Sequence, residues 1–209
     1  MPLFYQHNIN DFTKLAIWRI AEAEEFFLKK VNVQNSITHP HKRLQHLAGR
    51  YLLQLLEPDF PLHLISIAHS KKPSLSNEAF HFSISHCGDF AAVIISENHL
   101  VGIDVELINP KIEIIQHKFL GTKERELINN FHSIHQHSKL LTLFWSSKEA
   151  IFKWYGKGSV DFKKNMIIDY LFFEDEKGFV DARFIKEKCT PLKIGYKFFE
   201  NLCLAWVVK

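Results

Sequence analysis

Apolar and polar positions along this chain follow a helical spacing, then a strand-like alternation, and then repeat that order once more. Phe12, Leu15, Ile17, Trp18, Ala21, Phe26 and Phe27 recur at helical intervals, which predicts a largely helical first third with Asn10 or Asp11 as its cap. A second helix is predicted over 40–57. Its apolar line is Leu44, Leu47, Ala48, Tyr51, Leu52 and Leu55, and Pro58 stops it. The period then changes. Residues 81–86 (HFSISH) alternate, and 89–96 and 100–107 are short β-rich runs. Turn-prone Cys87-Gly88 and Glu97-Asn98 punctuate them, so an antiparallel meander is expected.

Pro110 closes that region and sets a boundary near Asn109. Beyond it, a helix is predicted over 122–131 with Thr122 as cap, and a longer one over 138–155 that stops at Gly156-Lys157-Gly158. Strands are expected at 166–173, 179–185, 192–199 and 202–208. Helices followed by strands, twice, define an α+β chain of two similar halves, 1–109 and 110–209.

Composition narrows the class. Hydrophobic residues make up 46% and charged residues 23%, which excludes a disordered or collagen-like chain. Lys and Arg total 26 against 23 acidic residues, too balanced to imply a nucleic-acid coat. Lysines interleaved with aromatics on the late strands read as core pattern and not as a nucleic-acid platform. Cys87, Cys189 and Cys203 show no CxxC spacing, so neither a disulfide framework nor a structural zinc site is expected. The N-terminus lacks a basic stretch followed by an apolar one, and the longest apolar runs, 90–95 and 202–208, fall far short of the about 18 residues of a membrane span. A soluble cytoplasmic protein without nucleic-acid or membrane partners is the expectation.

Three constellations carry candidate chemistry. In Gly102-Ile103-Asp104-Val105-Glu106, residues two apart on a strand face one side, so Asp104 and Glu106 point the same way. Paired hard oxygens suit Mg²⁺, above all when phosphate completes the shell. An arbitrary D-x-E is most often a solvated strand face. In Trp145-Ser146-Ser147-Lys148-Glu149-Ala150 and Lys153, positions 145, 149 and 153 share one helix face. An exposed Glu–Lys pair would be worth only about 0.2–0.5 kcal/mol. Here Phe144, Ile151, Phe152, Trp154 and Tyr155 crowd the helix, which favours burial and a site. The third constellation is Ser83-Ile84-Ser85-His86, whose weight comes from its place before the other two. Among the other histidines, His39, His41 and His46 precede or begin a helix and His132, His135 and His137 flank a loop; neither group has an H-E-x-x-H pattern, and solvated positions are expected in place of metal binding.

Taken in order, FSISH, VGIDVE and FWSSKEAIFKWYGKG resemble the three signature segments of the Sfp-type 4′-phosphopantetheinyl transferases, over roughly 81–158. The resemblance implies a fold of two α+β halves related by pseudo-two-fold symmetry, acting as a monomer with coenzyme A at their junction. It implies transfer of the phosphopantetheine arm of coenzyme A to a serine of an apo acyl or peptidyl carrier protein, with release of 3′,5′-ADP. Asp104 and Glu106 match the family's Mg²⁺-binding pair (Mn²⁺ being the alternative), and Glu149 its third acidic residue, as metal ligand or base. His86 matches the histidine beside the coenzyme A phosphates, Lys153 the lysine near the reacting phosphate, and Lys72, before Pro73, the lysine approaching the 3′-phosphate. Arg43 is the expected arginine for the adenosine phosphates, with Arg50 as the alternative. Cys87 stands where the family often has a small hydroxyl residue. A non-catalytic coenzyme A- or nucleotide-binding module derived from the family is the rival reading. Retention of all three acidic residues argues against it.

Overall fold

The computed structural model describes residues 2–31, 37–67, 72–130, 137–174 and 176–209. They form a mixed α+β chain with two compact units, Met1–Val101 and Gly102–Lys209, each built on its own sheet. The division falls at the start of a strand, whereas the sequence pattern places the boundary after that strand, at Asn109.

The first unit opens with strands, not with the expected helix. β1 (Leu3–Asn10) and β2 (Thr13–Arg19) form an antiparallel hairpin. The Asn10 side chain accepts a hydrogen bond from the Phe12 backbone at 3.0 Å, so it shapes the hairpin turn and caps no helix. The physical reason is the position of β2 between β1 and β6 (Phe90–Ser96). A central strand buried on both faces reads as a continuous apolar run, and such a run mimics helical spacing. Helix in this stretch is confined to α1 (Glu24–Leu28). α2 (Pro40–Leu56) follows, with Pro40 at its first turn and His39 as cap, its imidazole accepting from the Lys42 backbone. Short strands β3 (Ile65–Ile67) and β4 (Pro73–Leu75) pair with each other. β5 (His81–Cys87) pairs antiparallel with β6, completing a sheet of order β1-β2-β6-β5. α2 lays Leu52, Leu53 and Leu56 against Ala16, Phe82 and Val93 in one apolar cluster.

The expected meander ends at β6. β7 (Val101–Leu107) joins the second sheet, of order β7-β11-β10-β9-β8. Alternation along a strand says which side chains share a face, not which sheet edge the strand will join. α3 (Ile112–Phe119), unforeseen because isoleucines dominate it, leads to α4 (Thr122–Asn129). The cap of α4 is Gly121 and not Thr122. The Gly121 backbone donates to Glu124 Oε2 at 2.7 Å, which is half of a capping box made without the usual hydroxyl. Phe131, His132 and His135 lie outside the described residues. α5 (His137–Tyr155) stops at Gly156, whose φ of 69° and backbone bond to Phe152 O at 2.9 Å make a left-handed cap. β8 (Met166–Glu174), β9 (Lys177–Ile185), β10 (Cys189–Phe198) and β11 (Leu202–Val208) complete the sheet. The core beneath α5 includes Phe144, Ile151, Ile194, Tyr196 and Val207. Among the described residues no helix is long and apolar enough to cross a membrane.

Candidate active site

β7 and α5 bring together Asp104, Glu106, Glu149 and Lys153, and one glycine sets the separation of strand and helix. A Cβ on Gly102 would stand 2.0 Å from the Ala150 carbonyl oxygen and 2.7 Å from the Trp154 nitrogen, so only glycine lets the strand lie this close to the helix. Asp104 and Glu106 share the face of β7 that Gly102 turns to α5. Asp104 and Glu106 lie about 6.6 Å apart along β7, whereas positions 145 and 153 lie about 12 Å apart along α5, with 149 midway between them. Long side chains at the two outer helix positions reach inward to the carboxylates. Trp145 Nε1 donates to Glu106 Oε1 at 3.3 Å, and Lys153 Nζ donates to Asp104 Oδ1 at 2.7 Å.

Glu149 lies between these contacts along the helix. Burial pushes its carboxyl up to about 7, Asp104 pushes it further, Lys153 opposes the rise, and Glu106 adds to it. Three carboxylates are therefore close enough to repel, with one ammonium among them. Their donor chemistry fits a hard divalent cation, since such ions take oxygen ligands. Among the described residues no three acidic, His or Cys side chains are yet gathered into a coordinating set. Asp104 is instead held by Lys153, with side-chain exposures of 4% and 24%.

The neighbouring residue on α5 has another role. Lys148 is fully buried against Glu124 of α4 at 2.7 Å, and it also donates to the carbonyls of Phe119 and Phe162. Glu124 accepts in addition from the backbones of Gly121 and Ile168. This pair fastens α5 to α4 and β8. Nothing in the K-E-A spacing separates it from the site, although a lysine directly before Glu149 has to point elsewhere on a helix.

The first unit holds a cationic group. On α2, His46 and Arg50 stand one turn apart, and close packing of Gly49 on Ile84 brings them to β5 and His86. Arg50 is buried, and burial pushes its guanidinium down to about 10. His46 is pushed down to about 4 by burial, then by Arg50 and His86. Arg50 is thus a buried cation beside imidazoles, and an anion would relieve the cost of burying its charge. Burial likewise lowers Lys72, beside β4, to about 8. His46 lies on the predicted helix, but it is half-buried and not solvated as expected. His41 pairs with Asp89 at 3.1 Å and His39 caps α2. Arg43 is engaged by both oxygens of Glu24 at 2.7 Å and by the Ile37 carbonyl at 3.2 Å. His46 was visible in the sequence at four residues from Arg50, but its link to His86 comes from packing. Among the described residues Cys87 is half-buried, Cys189 exposed and Cys203 buried, and none of the three is in a disulfide.

Residues 100–207 match the 4′-phosphopantetheinyl transferase superfamily, and the chain belongs to that family. It is 34% identical over 129 residues to a Haemophilus influenzae protein named "Putative 4'-phosphopantetheinyl transferase", covering 58% of this chain and 53% of that one. It is 32% identical over 124 residues to the 4'-phosphopantetheinyl transferases AcpT of Salmonella typhimurium and Escherichia coli K12. Those matches cover 54% of this chain and 58% and 57% of theirs. The chain thus spans about half the length of the curated relatives it matches.

Proposed function

We propose that this protein transfers the 4′-phosphopantetheine group of coenzyme A to a serine of an apo acyl or peptidyl carrier protein, releasing 3′,5′-ADP. The observation that carries this reading is the convergence of Asp104, Glu106, Glu149 and Lys153 across β7 and α5, with the Glu149 carboxyl near 7. A base for an alcohol works best when its pKa lies near the working pH. Glu149 takes the proton of the carrier serine as its Oγ bonds to the β-phosphorus. The bond from that phosphorus to the bridging oxygen breaks, and the electron pair leaves with 3′,5′-ADP.

Asp104 and Glu106, with Glu149 beside them, would hold Mg²⁺ or Mn²⁺. Such an ion, when bound, offsets negative charge on the pyrophosphate oxygens. Lys153 supplies positive charge to the same oxygens. His86, Arg50 and Lys72 take the other phosphates of coenzyme A, with His46 beside the first two. Arg50 is preferred to Arg43, because Glu24 already neutralises Arg43. The reading includes a monomer built of two α+β halves and acting in the cytoplasm.

Intact mass spectrometry of an apo carrier protein incubated with this protein, coenzyme A and Mg²⁺ tests the proposal. A phosphopantetheine increment that EDTA removes is expected. No increment on fatty-acid, polyketide and peptide carriers overturns it in favour of a non-catalytic coenzyme A-binding module.

A further inference from the structure

Asp104 is an almost wholly buried carboxylate facing two other carboxylates, and its neutralising charge comes from Lys153. A buried carboxylate stripped of its partner is strongly unfavourable, so Asp104 needs a cation whether or not a metal is present. Lys153 is suited to a provisional role. Its ammonium is a compact charge on a flexible four-carbon stem, and a quarter of the side chain remains exposed. Lys148, fixed by three acceptor groups and fully buried, has no such freedom.

We propose that Lys153 is a resident counter-ion: it holds Asp104 in the metal-free protein, and a divalent cation displaces it. The displaced ammonium is then available to a phosphate, so metal occupancy and delivery of the lysine are one event. The inference rests on the transferase reading for the identity of that phosphate, but the exchange on Asp104 is testable without it. The ammonium lies 2.7 Å from Asp104 Oδ1, one of the two oxygens that a cation would use.

The test is Mn²⁺ binding to the full chain, followed by electron paramagnetic resonance without coenzyme A. Lys153→Met is compared with the unaltered protein. Removing the competitor is expected to lower the dissociation constant about tenfold. Lys153→Gln, which keeps a hydrogen-bond donor for Asp104, serves as the second variant if the first fails to fold. In the unaltered protein, the Lys153 ε-methylene NMR signal is expected to move on saturation with Mg²⁺. A dissociation constant unchanged or raised in the folded variants overturns the inference, as does an unmoved Lys153 signal. Carrier modification is scored separately. Transfer by the unaltered protein with no affinity gain in the variants defeats the counter-ion alone. An affinity gain without transfer defeats the transferase reading alone.

Discussion

Two ion pairs on α5 differ in nearly everything except their chemistry. Lys148–Glu124 is sealed, with 0% and 2% side-chain exposure, and both partners are saturated by further hydrogen bonds. Lys153–Asp104 is open at the lysine end and sits among carboxylates that repel. The first pair spends its charge on fastening α5 to α4 and β8. The second leaves charge unbalanced, and unbalanced charge is what a metal or a phosphate can answer. Five residues along one helix separate a fastening from a site, and what distinguishes them is how completely each charge is answered.

The largest expected effect comes from breaking the sealed pair. Lys148→Met leaves Glu124 ionised and buried, and should cost about 3–5 kcal/mol in urea unfolding. Glu124→Gln in the same chain should return part of that loss, because Gln still accepts from one backbone donor and no charge is left alone. A loss within about 0.5 kcal/mol for Lys148→Met would show the pair to be no fastening at all.

Glu149→Gln should do the reverse. Transfer should fall at least about 100-fold. In EDTA the variant should be more stable than the unaltered protein at pH 8, by about 1–3 kcal/mol. The Glu149 pKa is raised from 4.5 to about 7, so its contribution to stability is present in acid and lost as the pH rises through 7. The advantage of Gln should therefore shrink from pH 7 downward and vanish by about pH 4, below the ordinary value of 4.5. Equal stability of the two proteins at both pH values would contradict the crowding of the three carboxylates.

Gly102→Ala tests the spacing that the open pair needs. It drives a methyl into the Ala150 carbonyl and should cost about 1–3 kcal/mol, with a loss of transfer larger than the loss of folded protein. Melting temperature and specific activity of the folded fraction together check it. The smallest effect is expected outside this helix. Lys72→Ala should raise KM for coenzyme A about tenfold, and less for coenzyme A lacking its 3′-phosphate. Equal increases for the two would exclude a specific phosphate contact.

Much of this was legible in the residues. The bounds of α2, α5 and β11 follow from apolar period and from Pro58 and Gly156, because these signals are local. The D-x-E of β7 and the positions 149 and 153 were also legible as a candidate set, since strand and helix periods place them on single faces. The hairpin of β1 and β2 was not. Both faces of β2 are covered, and that removes the alternation by which strands are recognised. Nor was the link between His46 and His86, because the two lie on different elements far apart in sequence.

The sequence by itself determined the periods, the stops and the order of three motif segments, all of which depend on contacts within a few residues. Only the tertiary structure decided that β7 leaves the first sheet for the second, that Lys148 turns to Glu124, and that Lys153 meets Asp104. Those outcomes depend on which surfaces come within a few ångströms across dozens of residues. A charge acquires its partner, and so its role, only at that distance.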